Sequence, residues 1–401
     1  MMNRMHNAFH FAANPCRLRA RTRSSVSRFT IVLVVLLLLT ACGATANTDA
    51  FPSPTLAPTD TQIPVSTPGP VPGATVVFPE DEAPHNVLTE WWYYTGHLET
   101  ADGARYGLEY TIFQGSRADF PVGYAAHFAV IDEQRRTFAT DQAASFATEP
   151  RFGGTAGFDL QVNDWTLRGV NGTDQMRAAM HDNTYAIDLT VRDLLGPTLQ
   201  GGGQFSYGPG GSSYYYSRTR MAPSGTLTVN GVAKQVVGGA LWFDHQWGNF
   251  LPTSGGWDWY STQLDDNTAM MVYNLRDAKG NILQTFGEYV PGCNGACDPK
   301  KPTLTRQLDA NQFTITPTGK WVSPATGITY PSGWRIQVKA AGDVPALDLT
   351  YTPVIPDAEL DTRATTSVIY WEGDTRITGT KGGTPITGSG YVELTGYDKG
   401  K

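Results

Sequence analysis

From Trp91 onward, short apolar or alternating runs recur along the chain with turn residues between them, and helical periodicity is nearly absent. Tyr106, Leu108, Tyr110 and Ile112 alternate with Gly107, Glu109 and Thr111, which predicts a strand with one buried and one polar face. Leu227-Thr228-Val229 and Val232-Ala233-Lys234 flank Asn230-Gly231, residues that tolerate the positive φ angles of a type I′ turn, so a hairpin is predicted there. Asp102-Gly103, Asn171-Gly172, Asp266-Asn267 and Lys279-Gly280 give weaker hairpin signals. Residues 257–264, 270–275, 282–290, 334–338, 347–351, 367–372 and 391–397 also read as strands. The expected fold is therefore all-β. Its 401 residues exceed one typical domain, and a turn-rich break at Leu251-Pro252-Thr253-Ser254-Gly255-Gly256 divides 79–252 from 253–401. Two antiparallel barrels or curved sandwiches packed side by side fit this pattern.

The first 78 residues follow other rules. Arg17, Arg19, Arg21, Arg23 and Arg28 precede an apolar run over 29–39, too short to span a bilayer comfortably, so 1–41 reads as a signal peptide. Its end, Leu39-Thr40-Ala41-Cys42-Gly43, resembles the bacterial lipobox, which implies that Cys42 is lipidated and that the protein is exported and anchored on the outer face of the cell membrane. An ordinary secretory cleavage with a free Cys42 is the alternative. Residues 42–78 are mainly Pro, Thr, Ser, Ala and Gly, the composition of a semi-extended tether.

Charge and cysteine usage narrow the partners. Only 17% of the residues are charged and the net charge is −7; removal of 1–41 leaves 24 basic against 37 acidic side chains. So acidic a body is a poor match for nucleic acid or anionic headgroups. The membrane contact would run through the lipid, and a monomer is expected. Cys293-Asn294-Gly295-Ala296-Cys297 reads most simply as a loop disulfide in an exported protein; a zinc half-site would need ligands that do not follow. No His-x-x-x-His, clustered acidic loop, phosphate-cradling glycine loop or nucleophile elbow is present, so neither a metal nor an organic cofactor is expected.

Chemistry concentrates in Leu241-Trp242-Phe243-Asp244-His245-Gln246-Trp247-Gly248-Asn249-Phe250, where a carboxylate, an imidazole and an amide sit inside an aromatic run. Asp244-His245-Gln246-Trp247-Gly248 joins six other blocks: Glu90-Trp91-Trp92-Tyr93-Tyr94-Thr95-Gly96-His97-Leu98, Ala126-His127-Phe128-Ala129, Tyr214-Tyr215-Tyr216-Ser217-Arg218-Thr219-Arg220-Met221, Gly256-Trp257-Asp258-Trp259, Tyr370-Trp371-Glu372-Gly373, and Gly390-Tyr391-Val392-Glu393-Leu394-Thr395-Gly396-Tyr397. In order and spacing these resemble the AttH and carotenoid 1,2-hydratase family, from about Pro79 to the C-terminus. The resemblance implies two lipocalin-like barrels with an apolar cavity near their junction. It also implies that relatives add water to an isolated double bond of a polyene or of a prenyl group, and many secreted lipoprotein members are known only as predicted secreted hydrolases.

Alkene hydration needs a carboxyl still protonated near neutral pH, aromatic faces for a developing tertiary cation, and a placed water. Asp244 and Asp258, each between aromatic residues, are the candidate acids; His245 would place the water and Trp247 line the cavity. Trp91, Tyr93, His127, Tyr216, Trp242, Gln246, Trp259 and Tyr260 are the candidate ligand contacts. The family block commonly carries glutamate where this chain has Gln246, which can orient a water but cannot protonate a substrate.

Structural readings stand beside these. Asp244 and His245 could be a hydrogen-bonded pair stitching the barrels together. Glu90 could pair with Arg218 or Arg220, His127 could be a satisfied core histidine, and Glu372 and Glu393 buried hydrogen-bond acceptors. A carrier for an apolar small molecule would use the same pocket without turnover. A hydrolase acting on a carbohydrate or an ester is the lesser alternative.

Overall fold

Strands form wherever the alternating runs are framed by turn residues, and no α-helix occurs among the described residues, which are 76–116, 121–146, 157–207, 210–250, 255–292 and 297–398 of a computed structural model. The signal segment, Cys42, most of the tether and Cys293 lie outside the described residues; Cys297 is disulfide-bonded.

The first sheet contains β1 (Thr89–Thr100), β2 (Arg105–Gly115), β3 (Gly123–Asp132), β4 (Thr137–Phe146), β5 (Phe158–Val162), β6 (Trp165–Val170), β7 (Thr173–Ala179), β8 (Tyr185–Asp193), β9 (Thr198–Ser206), β10 (Gly211–Val229) and β11 (Val232–Phe250). Its order is β4-β3-β2-β1-β11-β10-β8-β7-β6-β5, all antiparallel, with β9 also on β10. The ends of this order, β4 and β5, approach each other and nearly close a barrel.

The second sheet follows with β12 (Trp257–Leu264), β13 (Ala269–Arg276), β14 (Ile282–Val290), β15 (Arg306–Leu308) and β16 (Phe313–Pro317). A separate two-stranded ribbon, β17 (Lys320–Val322) with β18 (Thr329–Pro331), interrupts it. It resumes with β19 (Trp334–Val338), β20 (Leu347–Pro353), β21 (Glu359–Asp361), β22 (Ile369–Lys381) and β23 (Thr384–Leu394). The order is β15-β14-β13-β12-β23-β22-β20-β19-β16, with β21 on β22. Both sheets thus join their last strand to their first, β11 to β1 and β23 to β12.

The turn chemistry sits where the sequence predicts it. Asn230 and Gly231 adopt φ of 50° and 78° and connect Val229 to its partner Val232. Asn171, Gly172, Gly103, Asn267 and Gly280 also take positive φ at the other hairpin tips. A different constraint acts at Gly96: its φ is +145°, and a Cβ there would lie 2.2 Å from the carbonyl oxygen of Ala240 on β11. Only glycine lets β1 and β11 come this close.

Burial follows from what covers each face. β7 alternates between exposed and buried because its outer face meets water. β3 is buried at every position, and β1 at nine of twelve, because the second sheet covers the outer face of the first barrel here. One apolar core fills the first barrel around Trp92, Tyr94, Phe243 and Trp247, and another packs against the second sheet, whose end strands β15 and β16 do not pair, around Tyr260, Trp334 and Trp371. A third, dominated by Tyr93, Tyr215, Trp242, Trp259 and Tyr273, lies in the seam between the sheets.

Candidate functional site

A cleft of about 70 Å³ opens in that seam. The first sheet lines it with Trp91, Tyr93, Phe113, Tyr207, Tyr215, Asp244 and Gln246, and the second with Trp257, Trp259, Tyr273, Leu275, Tyr370 and Glu393. The register explains the convergence. Tyr93 pairs with Asp244 and Trp91 with Gln246 across β1 and β11, so these four side chains share one face. On the other wall Trp259 pairs with Glu393, which in turn stands opposite Glu372.

The carboxyl groups in this seam are unusual in having neutral donors rather than cations around them. Asp244 accepts from Tyr215 Oη at 2.7 Å, Ser217 Oγ at 2.5 Å and Trp242 Nε1 at 2.7 Å. Trp259 Nε1 donates to the same Tyr215 oxygen at 3.3 Å, linking the two walls. Burial raises the Asp244 carboxyl to about 6 although these donors favour its charged form. Glu393 accepts from Trp257 Nε1 at 2.7 Å and is pushed up to about 8, by burial first and then by the nearby Glu109 and Asp244. Glu372, which accepts from Tyr93 Oη at 2.7 Å, is raised well above the carboxylate range by burial and by Glu393 and Glu109. Glu109 is held at about 7 by burial. Like charges directly opposite each other in a dry seam cannot all ionise, so the cluster retains protons at neutral pH. Glu393 and Asp244 therefore flank one cleft as a neutral acid and a largely ionised carboxylate, the division of roles that acid–base chemistry requires.

The structure divides the residues singled out in the sequence. Trp91, Tyr93, Gln246 and Trp259 line the cleft with Asp244, and Trp242 packs beside it, edge-on to Trp259 at 5.8 Å. Gln246 is engaged as a donor to Tyr207 Oη and Ser213 Oγ. His245 and Trp247 instead face the interior of the first barrel with Tyr216, because successive residues of a strand point to opposite faces. For the same reason Asp244 and His245 are not a hydrogen-bonded pair. Asp258 and Tyr260 point away from the cleft on the far side of β12: Asp258 forms an ion pair with Arg276 at 3.0 Å and accepts from Tyr397, and Tyr260 belongs to the core of the second sheet. His127 is a satisfied histidine, with Nδ1 at 2.8 Å from Tyr370 Oη and Nε2 at 3.1 Å from Thr365 Oγ1.

Glu90 meets neither Arg218 nor Arg220. It lies two pairs from His245 in the β1–β11 register, on the same face, whereas Arg218 stands opposite Phe243, whose β1 partner is four residues from Glu90. That is about 13 Å of extended chain. Arg218 instead holds Glu82 and Asp193, and Arg220 donates to the Leu264 carbonyl. Glu90 accepts from Gln114 and the His85 backbone and contacts the rings of His85 and His245, each at 2.8 Å. Burial lowers the His245 imidazole to about 4 despite the Glu90 contact, and its Nδ1 has no partner among the described residues.

Tyr207, Tyr215, Tyr273, Phe113 and Tyr370 are cleft residues that the sequence reading passed over, and Glu393 was expected only as an acceptor. The available signal was the shared parity of Trp257, Trp259, Tyr273 and Leu275 on two strands. It becomes legible only once their pairing is known.

Comparison with known proteins fits this architecture. A family model described as AttH-like matches residues 69–397. Among curated proteins, kievitone hydratase of Fusarium solani subsp. phaseoli is 22% identical over 251 residues, 59% of this chain. The match spans 65% of that relative's length. Among solved structures, an AttH-type protein of Nitrosomonas europaea superposes with a TM-score of 0.69 at 30% identity, covering 82% of this chain and 99% of the other. Kievitone hydratase from Nectria haematococca gives 0.61 at 17% identity over 82% and 96%, a likeness of fold. With most of its length matched and both sheets accounted for, the chain belongs to the AttH-like family.

Proposed function

We propose that this protein is a cofactor-independent hydro-lyase of the carotenoid 1,2-hydratase type that adds water to an isolated double bond at the end of an isoprenoid-like chain. The observation that carries this reading is the pairing of Glu393, neutral up to about pH 8, with Asp244, ionised above about pH 6, on one aromatic cleft. The distant similarity to an enzyme named as a hydratase supports it. Glu393 would deliver its proton to the less substituted alkene carbon, the π electrons forming the new C–H bond and leaving a tertiary cation. The stacked indoles of Trp91 and Trp257, 6.4 Å apart, offer π faces to that cation, each worth about 0.5–2 kcal/mol. Water then forms the C–O bond and loses a proton to Asp244, and exchange with solvent restores both carboxyls. At roughly 10–15 Å³ per enclosed water, 70 Å³ admits a few waters or one branched chain end rather than a whole polyene.

A carrier without turnover is the second reading. It is favoured by the three donors that already satisfy Asp244. In either case the chain would be exported and held at the membrane by a lipid on Cys42, and the mass of the mature N-terminal peptide tests this.

The functional experiment is mass spectrometry of apolar compounds that co-purify with the protein, and of prenyl-bearing and linear isoprenoids incubated with it in heavy-oxygen water. A product heavier by one labelled water, lost in Glu393→Gln while ligand retention persists, is the expected result. Retention without label in the native protein selects the carrier. Unchanged turnover in Glu393→Gln removes Glu393 as the acid.

A further inference from the structure

The opposite face of β11 from Asp244 carries a second polar constellation. Glu90, His245 and His85 come from β1, β11 and the segment that precedes β1, and one ligand atom from each lies within 4.8 Å of the other two. We propose that His85, Glu90 and His245 bind one divalent transition-metal ion of the zinc type.

The donor set is two imidazole nitrogens and one carboxylate oxygen, the combination zinc takes when a fourth position is left for water. Glu90 Oε1 sits 2.8 Å from both His85 Nδ1 and His245 Nε2, so the three ligand atoms already converge on one point, and an entering ion would displace the two N–H protons that now hydrogen-bond to the carboxylate. Tetrahedral ligands about 2.05 Å from zinc stand roughly 3.4 Å from one another. Loading thus requires each N···O pair to open by about half an ångström and the two nitrogens to settle within their present limit. Side-chain adjustments of this size leave β1 and β11 in place.

The surroundings resemble an outer shell. Asp81 Oδ1 lies 3.4 Å from His85 Nε2, the ring nitrogen that would remain protonated when Nδ1 binds metal. The second oxygen of Glu90 is fixed by the His85 backbone N–H at 2.8 Å and by Gln114 Nε2 at 2.9 Å. Trp247 stacks on His85 at 4.4 Å and 3°, and Trp92 on His245 at 4.7 Å, which sets both rings. Glu90 and His245 are fully buried, whereas the His85 side chain is 22% exposed, so an ion would enter past His85. No spacing motif announces the set, because its members are 5 and 155 residues apart. The site is separate from the seam cleft and stands or falls independently of the hydration reading.

The test is titration of the purified protein with Co²⁺ and then Zn²⁺ at pH 7.5, reading stoichiometry, the visible Co²⁺ spectrum and the thermal midpoint. One equivalent of Co²⁺ with the strong absorption of four-coordinate geometry, displaced by zinc, and a zinc-dependent rise in midpoint of several degrees are expected. His85→Gln, at the one partly exposed ligand, should weaken binding at least 100-fold while melting like the native protein without metal. His181→Gln, at an exposed histidine paired with Asp141, should leave binding unchanged. Absence of stoichiometric binding, six-coordinate cobalt spectra, or equal binding in His85→Gln overturns the proposal.

Discussion

Replacing Glu393 with glutamine should make the protein more stable in alkali than the native chain, and the size of the effect follows from the seam. The folded protein holds the Glu393 proton up to about pH 8, against an ordinary value of 4.5 in an unfolded chain. Below about pH 4.5 both states are protonated and the side chain contributes its full stability as a neutral group. Between 4.5 and 8 the unfolded chain releases the proton while the folded one keeps it, so stability falls by about 1.4 kcal/mol per pH unit. Over this window the loss is about 5 kcal/mol, and above pH 8 it levels off. Glutamine matches the shape, can still accept from Trp257, and carries no proton to lose. Loss of the Glu393 carboxylate also relieves Glu372, directly opposite, whose carboxyl it helps to push up. At about 2–4 °C per kcal/mol for a body of this size, the variant should melt some ten or more degrees above the native chain at pH 9 and near it at pH 4. Calorimetric melts of both proteins from pH 4 to 9 provide the measurement. Parallel curves across the whole range would show that Glu393 is not a buried neutral acid, and the assignment of roles in the cleft would fail with it.

Three further outcomes are specific. Asp244→Asn keeps an acceptor for Ser217 and Trp242 but turns an amide toward Tyr215, so urea unfolding should show a loss of about 1–3 kcal/mol with the fold intact, and any turnover should vanish. Arg218→Met leaves Glu82 and Asp193 buried without their cation and should cost about 3–5 kcal/mol, with proteolysis of the chain around Glu82 preceding global unfolding. Gly96→Ala drives a methyl into the Ala240 carbonyl at a left-handed φ; the thermal midpoint should drop, by about 1–3 kcal/mol of strain or more, whereas Gly103→Ala, with open space around it, should lose less.

Much of the fold was legible before any coordinates. Ile282–Val290 and Trp334–Val338 carry strand bounds that match their apolar runs, and Asn230-Gly231 closes its hairpin as the residue chemistry requires. The candidate site was legible only in outline. Asp244, Trp91 and Trp259 stand out because polar groups inside aromatic runs are rare, but Trp257 does not, and His245, Trp247, Asp258 and Tyr260 are grouped with them only by proximity along the chain. Proximity along a strand is a poor guide to a shared site, since neighbours point apart.

Local chemistry is carried by the order of residues. Alternation, turn-formers and the seven family blocks are enough to specify strands, hairpins and an all-β chain, because each depends on contacts a few residues long. Which face of β1 and β11 meets the seam is a different kind of information. Both faces are buried, so hydropathy along these strands no longer distinguishes inside from outside. The answer depends on long-range register, Tyr93 opposite Asp244 and Glu372 opposite Glu393, and on the second sheet covering the first. That covering excludes water from four carboxyl groups and moves their proton affinities. Desolvation belongs to the assembled seam and to no single segment of the chain.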